Sequence, residues 1–102
     1  ILVCGTPAPG VNGVISAVVI QCQYHNIIPV GILNGFRYLR QKTFDVNKHT
    51  KPLATKEVTR LHSTGGSILL SSKTQLINKE YANNCAHNLI NILKTKYLIT
   101  IG

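Results

Sequence analysis

The sequence predicts an α/β fold, a partial doubly wound (Rossmann-like) parallel sheet with helices on both faces. Two observations lead to this prediction. Its candidate strands are continuously apolar, as in "ILVC" at 1–4 and "IIPVGIL" at 27–33, which is typical of strands buried on both faces. These strands alternate with segments of helical apolar period, an order that favours parallel strands joined by helices.

The first third of the chain reads as strand, helix, strand. A turn rich in Gly and Pro, 5–12, follows the first strand, and a second turn, 34–36, follows the second. Between the strands we predict a helix that is capped by Asn12 and ends near Asn26. The predicted apolar side of this helix comprises Val14, Ile15, Ala17, Val18 and Cys22.

The remainder reads as a loop followed by two helix–strand units. Residues 41–55 are polar and basic and contain a proline, so we predict a surface loop. A short helix from Thr55 to a glycine pair, a strand at 67–72, a helix capped by Asn78 and a final strand at 97–102 follow. The last helix has the clearest apolar stripe, which comprises Tyr81, Ala82, Cys85, Ala86, Leu89, Ile90 and Leu93.

Composition limits the classes of function. The 102 residues carry 11 Lys and Arg against 3 acids, a net charge of +8, which favours anionic partners. No nucleic-acid-binding signature accompanies that charge, so we expect no nucleic-acid partner. No apolar run reaches the ~18 residues of a membrane span. The chain begins and ends inside apolar runs, so we expect it to be part of a longer protein and to fold poorly alone.

The cysteines and histidines predict neither a disulfide framework nor a metal site. Cys4, Cys22 and Cys85 are widely separated, and no histidine lies at a metal-ligand spacing from another ligand. We interpret Cys22 and Cys85 as core residues. Unpaired cysteines of this kind are typical of a reducing compartment, so we expect a cytoplasmic protein.

Three loops, 5–12, 34–40 and 71–77, follow predicted strands and therefore define the candidate site. The first could present backbone amides to phosphate near a helix start, although it lacks the Lys and Ser/Thr of a P-loop. The alternative is a tight turn that requires a positive φ and nothing more. In the second loop Phe36 lies beside arginines, a combination that can sandwich a planar base or simply anchor the loop. Lys73 in the third offers a point charge for phosphate, or is only solvated.

Four blocks together resemble one known family. In order and spacing, "ILVCGTPAPGVNGVISAVV", "VGILNGFRYL", "STGGSILLSSK" and "LITIG" are similar to the amino-terminal portion of the phosphofructokinases. The resemblance covers essentially the whole chain. It implies a glycolytic enzyme that transfers a phosphoryl group from ATP or pyrophosphate, with Mg²⁺, to fructose 6-phosphate to give fructose 1,6-bisphosphate.

The resemblance also implies roles for individual positions. Gly5 and Thr6 fall where the family presents backbone amides to the phosphoryl donor, and Phe36 falls where an aromatic often lies beside the nucleotide. Lys73 occupies the place of an arginine that reaches the donor phosphates. Gly102 falls at the start of the family's Gly-Gly-Asp turn. Residues 1–102 would then be the amino-terminal part of a single domain that stops before this turn, with the catalytic residues and the metal ligands outside it.

Departures from the family pattern keep a second interpretation open. Thr6 replaces a glycine of the phosphate turn, and its Cβ could crowd a phosphate. Lys73 lacks the planar fork of the usual arginine. Pro7 resembles the long-chain, pyrophosphate-related branch, in which two such domains are fused or paired as oligomers. The alternative to a catalytic segment is therefore a degenerate structural or regulatory half of such an enzyme.

Overall fold

A computed structural model describes residues 1–5, 10–54, 69–76 and 78–102. β-Branched residues (Val, Ile and Thr) make up six of the ten residues in its strands, and helices occupy the segments that begin with a glycine, Asp or Asn cap. The elements are β1 (Leu2–Val3), α1 (Val11–Tyr24), β2 (Val30–Ile32), α2 (Val46–His49), β3 (Thr50–Pro52), α3 (Lys79–His87), a π-helical continuation (Asn88–Ile92) and β4 (Thr100–Ile101). The helix predicted from Thr55 lies outside the described residues, as do the first two residues of the strand predicted at 67–72. The prediction is wrong for 69–72, where Leu70 has a φ of 60° and Ser72 forms only an isolated bridge, so a turn interrupts the apolar run.

The sheet is mixed but mostly parallel, with strand order β3-β2-β1-β4. Central β1 is parallel to both neighbours, with Leu2 opposite Ile32 on one side and opposite Thr100 on the other. Only β3 is antiparallel, paired with β2. The prediction of a partial, doubly wound α/β sheet is therefore confirmed, with one antiparallel edge added.

The prediction of a surface loop at 41–55 is wrong for residues 46–52, which form a short helix and a strand. Asp45 caps the single turn of α2, because its Oδ1 accepts a 2.9 Å hydrogen bond from the amide of Asn47. The chain then forms β3, with Pro52 at the outer edge of the sheet, where the missing N–H is tolerated. The polar composition is that of an edge strand, which sequence patterning does not distinguish from a loop.

Helices cover both faces of the sheet, as predicted. Leu2 and Val3 of β1 point to opposite faces, because side chains alternate along a strand. Two apolar clusters result. The first comprises Val3, Val11, Ile15, Val19, Leu53 and Leu69, and lies under α1. The second comprises Leu2, Ile32, Leu39, Phe44 and Cys85, and lies under α3.

Helix α1 starts earlier and buries a different face than predicted. Its N-cap is Gly10, at φ 86°, whereas Asn12 lies buried in the first turn. Val14 is 47% exposed. The helix is apolar around most of its circumference, so packing on the sheet, rather than its own pattern, selects the buried side. That side comprises Val11, Asn12, Ile15, Ser16 and Val19. Cys22 is only partly buried, so its interpretation as a core residue is wrong.

The ends of the helices follow the sequence more closely. Asn26 adopts a left-handed φ of 56° just past α1, which confirms it as the terminator. Asn78 caps α3, and its Oδ1 accepts from the amide of Tyr81 at 2.8 Å. Cys85 of the predicted stripe is buried, whereas Ile90 is 64% exposed. The π-helical turn after α3 changes the helical phase and buries Asn88 instead.

The strands are shorter than their apolar runs. Strand β2 occupies three residues of the predicted 27–33, and Ile28 before it is 86% exposed. Strand β4 occupies two residues of the predicted 97–102. No helix in the described ranges is long and apolar enough to cross a bilayer.

Candidate functional site

The candidate site lies at the carboxyl end of β1, where the loops predicted to form it converge. Cys4, directly after β1, pairs with Ser72 in an isolated parallel bridge. The amide of Gly5 then donates a 3.0 Å hydrogen bond to the carbonyl oxygen of Ser72. These two contacts bring the first predicted loop against the third.

A glycine joins the second loop to the same point. Gly35 has a φ of 57°, and a Cβ added to it would lie 2.8 Å from the carbonyl oxygen of Val3 and 3.4 Å from the amide nitrogen of Ser72. No side chain fits in this space without displacing β1. The turn that carries Phe36 is thus held against the backbone of β1 and of the third loop.

Gly102 reaches the site from the other side of β1. Its φ is 111°, and a Cβ there would overlap the carbonyl oxygen of Cys4. The amide of Cys4 donates to the carbonyl of Ile101 at 2.8 Å, which fixes β4 beside β1. The structure therefore places Gly5 and Gly102 together at one end of the sheet.

The amide that the resemblance assigns to a phosphate is already used inside the protein. Gly5 N–H is bonded to Ser72, so a phosphate at this turn would have to contact amides further along the chain. Gly5 can still contribute to the site through its backbone conformation and its lack of a side chain. Its φ is 78°, and no described atom lies within 4 Å of the position of an added Cβ, so open space borders this glycine. Thr6, the next residue, lies outside the described ranges.

Lys73 projects from the third loop. It is exposed, and it forms no hydrogen bond or ion pair with the described part of the chain. Its neighbours are ordered by a local turn in which the amide of Thr74 donates to the hydroxyl of Ser72 at 3.0 Å. An exposed ammonium on an anchored turn can bind an anion.

Phe36 takes the anchoring position considered for it. It is partly buried and packs against the second apolar cluster, beneath the turn at 34–40. Contact with a base would use its remaining exposed area. The thiol of Cys4, which packs against the same cluster, has a raised pKa, because burial disfavours the thiolate.

Arg40 is a site-edge residue to which the sequence assigned no specific contact. Its Nη1 donates to the carbonyl of Gln75 at 3.1 Å, and its guanidinium carbon lies 4.2 Å from the ring centroid of Tyr81. The signal available in the sequence was an arginine next to aromatic residues, which gives no indication of the partner.

The described residues bring together no group of three His, Cys, Asp or Glu side chains that could hold a metal ion. Residues 1–5, 10–54, 69–76 and 78–102 therefore supply no such ligand set for Mg²⁺. The groups that these residues could offer to a phosphate are the amides of backbone turns and cationic side chains.

Comparisons with known proteins identify the family of the chain. The profile of the family Phosphofructokinase matches residues 1–102. Over all of its 102 residues, the chain is 37% identical to a pyrophosphate–fructose 6-phosphate 1-phosphotransferase of Thermotoga maritima and covers 24% of that protein. It is 35% identical, again over 102 residues, to an enzyme of the same name from Naegleria fowleri, of which it covers 23%. It is 36% identical to an ATP-dependent 6-phosphofructokinase of Buchnera aphidicola, again over the whole chain and 30% of the relative.

The chain thus spans about a quarter of the length of the curated relatives it matches. Because the family match extends from the first residue to the last, every loop of the candidate site is included in it. The chain belongs to the phosphofructokinase family.

Proposed function

We propose that residues 1–102 form the amino-terminal part of a single phosphofructokinase domain and provide the donor-phosphate side of its active site. The enzyme transfers a phosphoryl group from ATP or pyrophosphate to fructose 6-phosphate and yields fructose 1,6-bisphosphate. The observation that carries the proposal is the convergence of Gly5, Gly35, Ser72 and Gly102 at the carboxyl end of β1. In parallel α/β sheets, ligands bind just beyond the carboxyl ends of the strands.

The chemistry of this edge suits an anionic donor. The turn after Gly5 leads into α1, whose first amides and dipole favour a phosphate at the helix start. In the proposal Gly5 and Thr6 line that turn, Lys73 neutralises charge, Phe36 borders a base, and Gly102 opens the next turn. Mg²⁺ would offset phosphate charge during transfer. Its ligands and the catalytic carboxylates belong to the rest of the domain.

The identity of the donor is a separate proposal. Relatives of both kinds match with similar identity, and Pro7 favours the pyrophosphate-related branch. We propose a cytoplasmic enzyme that is oligomeric or carries a second, tandem domain.

One structural feature and one feature of the sequence support the alternative of a degenerate structural or regulatory half. Gly5 N–H is occupied by Ser72, and Lys73 stands in place of an arginine, so two donor contacts of the family are altered. Such a half would keep the fold and the family match while binding no donor.

The full-length protein tests both possibilities. It would be incubated with fructose 6-phosphate and Mg²⁺ and with either pyrophosphate or ATP, and fructose 1,6-bisphosphate would be measured through a coupled aldolase reaction. Calorimetric titration with each donor would be run in parallel. Turnover with one donor supports the proposal. Absence of donor binding would overturn it, and a stable protein without donor binding is the result expected of a degenerate half.

A further inference from the structure

Residues 69–76, here called the Lys73 segment, accept hydrogen bonds from other described parts of the protein at three backbone carbonyl groups. Leu69 O accepts from the amide of Asn34 at 3.0 Å, and Ser72 O accepts from the amide of Gly5 at 3.0 Å. Gln75 O accepts from the side chain of Arg40 at 3.1 Å. Lys73 lies between the second and third attachment points.

The third attachment differs from the first two because a side chain makes it. Two backbone amides hold Leu69 and Ser72, and these bonds would survive most substitutions. The bond to Gln75 depends on the guanidinium of Arg40 alone. Removing that guanidinium therefore releases one end of the turn that carries Lys73 and leaves the other end in place.

Arg40 is itself fixed on several sides. Its guanidinium carbon lies over the ring of Tyr81 in α3, 4.2 Å from the ring centroid, and its Nη1 is bonded to Gln75. Its backbone amide donates to Phe36 O at 3.1 Å and so closes the turn at 34–40. One residue thus joins the Phe36 turn, the Lys73 segment and α3.

We propose that Arg40 is a positioning residue for the phosphoryl donor, which acts by holding the Lys73 segment at the distance and orientation in which Lys73 meets the donor phosphates. This inference rests on the proposed function. Arg40 need not touch the donor. A planar cation is required for this role, because it must stack on Tyr81 and donate sideways to Gln75 at the same time, and an ammonium group cannot do both.

The structural part of the inference is tested without any activity. Amide hydrogen exchange would be measured in the full-length protein for peptides that span residues 70–76. Arg40→Met and Arg40→Lys should each raise exchange in this segment by about fivefold or more, the factor that corresponds to one lost hydrogen bond. Arg37→Met is the matched control, because Arg37 is exposed in the same turn and makes no hydrogen bond to the segment; it should leave this exchange unchanged.

The functional part is tested by comparing the effect of each substitution on KM for the donor with its effect on KM for fructose 6-phosphate. Arg40→Met and Arg40→Lys should raise KM for the donor about tenfold and leave KM for fructose 6-phosphate unchanged. In a Lys73→Ala background the same substitutions should add no further increase, because the group that Arg40 positions is gone. A merely structural residue would impair both substrates and would add to the Lys73→Ala effect.

Three outcomes would overturn the inference. The first is unchanged exchange at 70–76, and the second is an Arg40→Lys enzyme with normal donor KM. The third is additivity of Arg40→Met with Lys73→Ala. If the parent enzyme binds no donor, the proposed function fails instead, and the exchange experiment still decides whether Arg40 holds the segment.

Discussion

The amide nitrogen of Gly5 lies 3.0 Å from the carbonyl oxygen of Ser72 and donates a hydrogen bond to it. This bond joins the turn after β1 to the Lys73 segment, two stretches that are 67 positions apart in the chain. Because Gly35 and Gly102 close on the backbone of Val3 and Cys4 around it, the edge of the sheet is organised by backbone contacts. Side chains such as Lys73 then project from a framework that most substitutions do not alter.

Lys73→Ala should weaken use of the phosphoryl donor in the full-length enzyme. The lost contact is a charge-assisted one, so the donor KM should rise about tenfold to a hundredfold, while KM for fructose 6-phosphate stays constant. Lys96→Ala is the control, since Lys96 is also exposed but precedes β4, on the side of the strands' amino ends and away from the candidate site. Equal donor kinetics in parent and Lys73→Ala would exclude Lys73 as a donor ligand.

Gly35→Ala should lower the free energy of unfolding more than Gly5→Ala does, although both glycines have a positive φ. At Gly5 the new methyl meets no described atom within 4 Å, so the expected loss is the strain of the left-handed backbone, about 1–2 kcal/mol. At Gly35 the methyl also meets Val3 O at 2.8 Å, and the free energy of unfolding should fall by about 3–4 kcal/mol. Denaturant unfolding of the full-length variants measures both. Equal losses would show that the contact with Val3 relaxes without cost.

Asn88→Asp should be strongly destabilising at neutral pH. The buried Asn88 amide donates to Leu39 O at 2.8 Å and to Gln41 O at 2.9 Å, and a carboxylate there would face two acceptors. Burial and those carbonyls would raise the pKa of the new carboxyl in the folded state. Its protonated form is therefore the better tolerated one, and stability falls as pH rises above the ordinary carboxyl pKa of about 3.9.

The measurement is the difference in unfolding free energy between Asn88→Asp and parent at pH 5 and pH 7. The difference should be about 2 kcal/mol or more at pH 7 and smaller at pH 5. Asn83→Asp is the control, because Asn83 is exposed on the same helix. A loss at Asn88 that does not depend on pH would contradict the proposed titration.

Cys85 should be protected from alkylation. Its side chain is 4% exposed, and desolvation raises the pKa of its thiol, so little thiolate is present at pH 7–8. Modification by iodoacetamide, followed by mass spectrometry of the peptide, should be far slower in the folded protein than in urea. Because the raised pKa favours the protonated thiol in the folded state, its contribution to stability is present at neutral pH. That contribution decreases as pH rises above the ordinary thiol value of about 8.5.

The elements that were predicted correctly are those with a local cause. Asn78 and Asn26 act at helix ends through their own side chains and backbone, and such signals are visible in a short stretch of sequence. The buried face of α1 and the edge strand β3 have non-local causes. Val14 and Val11 are equally apolar, and only the sheet determines that Val11 is buried.

The site shows the same division. Glycines after strands predicted where the loops meet, because strand order and parallel direction place those turns at one edge. The bond from Arg40 to Gln75 crosses 35 positions and has no local signal. The hydrogen bond from the Gly5 amide likewise goes to a carbonyl of the third loop, far away in the sequence. The sequence therefore contains no sign that this amide is occupied, and the resemblance assigned it to the donor.

Thr6→Gly tests whether the turn after Gly5 still holds a phosphate. Thr6 follows directly on Gly5 and stands where the family has a glycine, so the substitution restores the family pattern. Because Gly5 N–H is already bonded to Ser72, amides beyond Gly5 must supply the donor contacts, and we expect Thr6→Gly to keep or improve donor affinity. Titration of pyrophosphate and ATP, each with Mg²⁺, against both full-length forms measures this. If the turn has lost its ligand, neither form will bind, and the substitution will only lower stability by up to about 1 kcal/mol through added chain entropy.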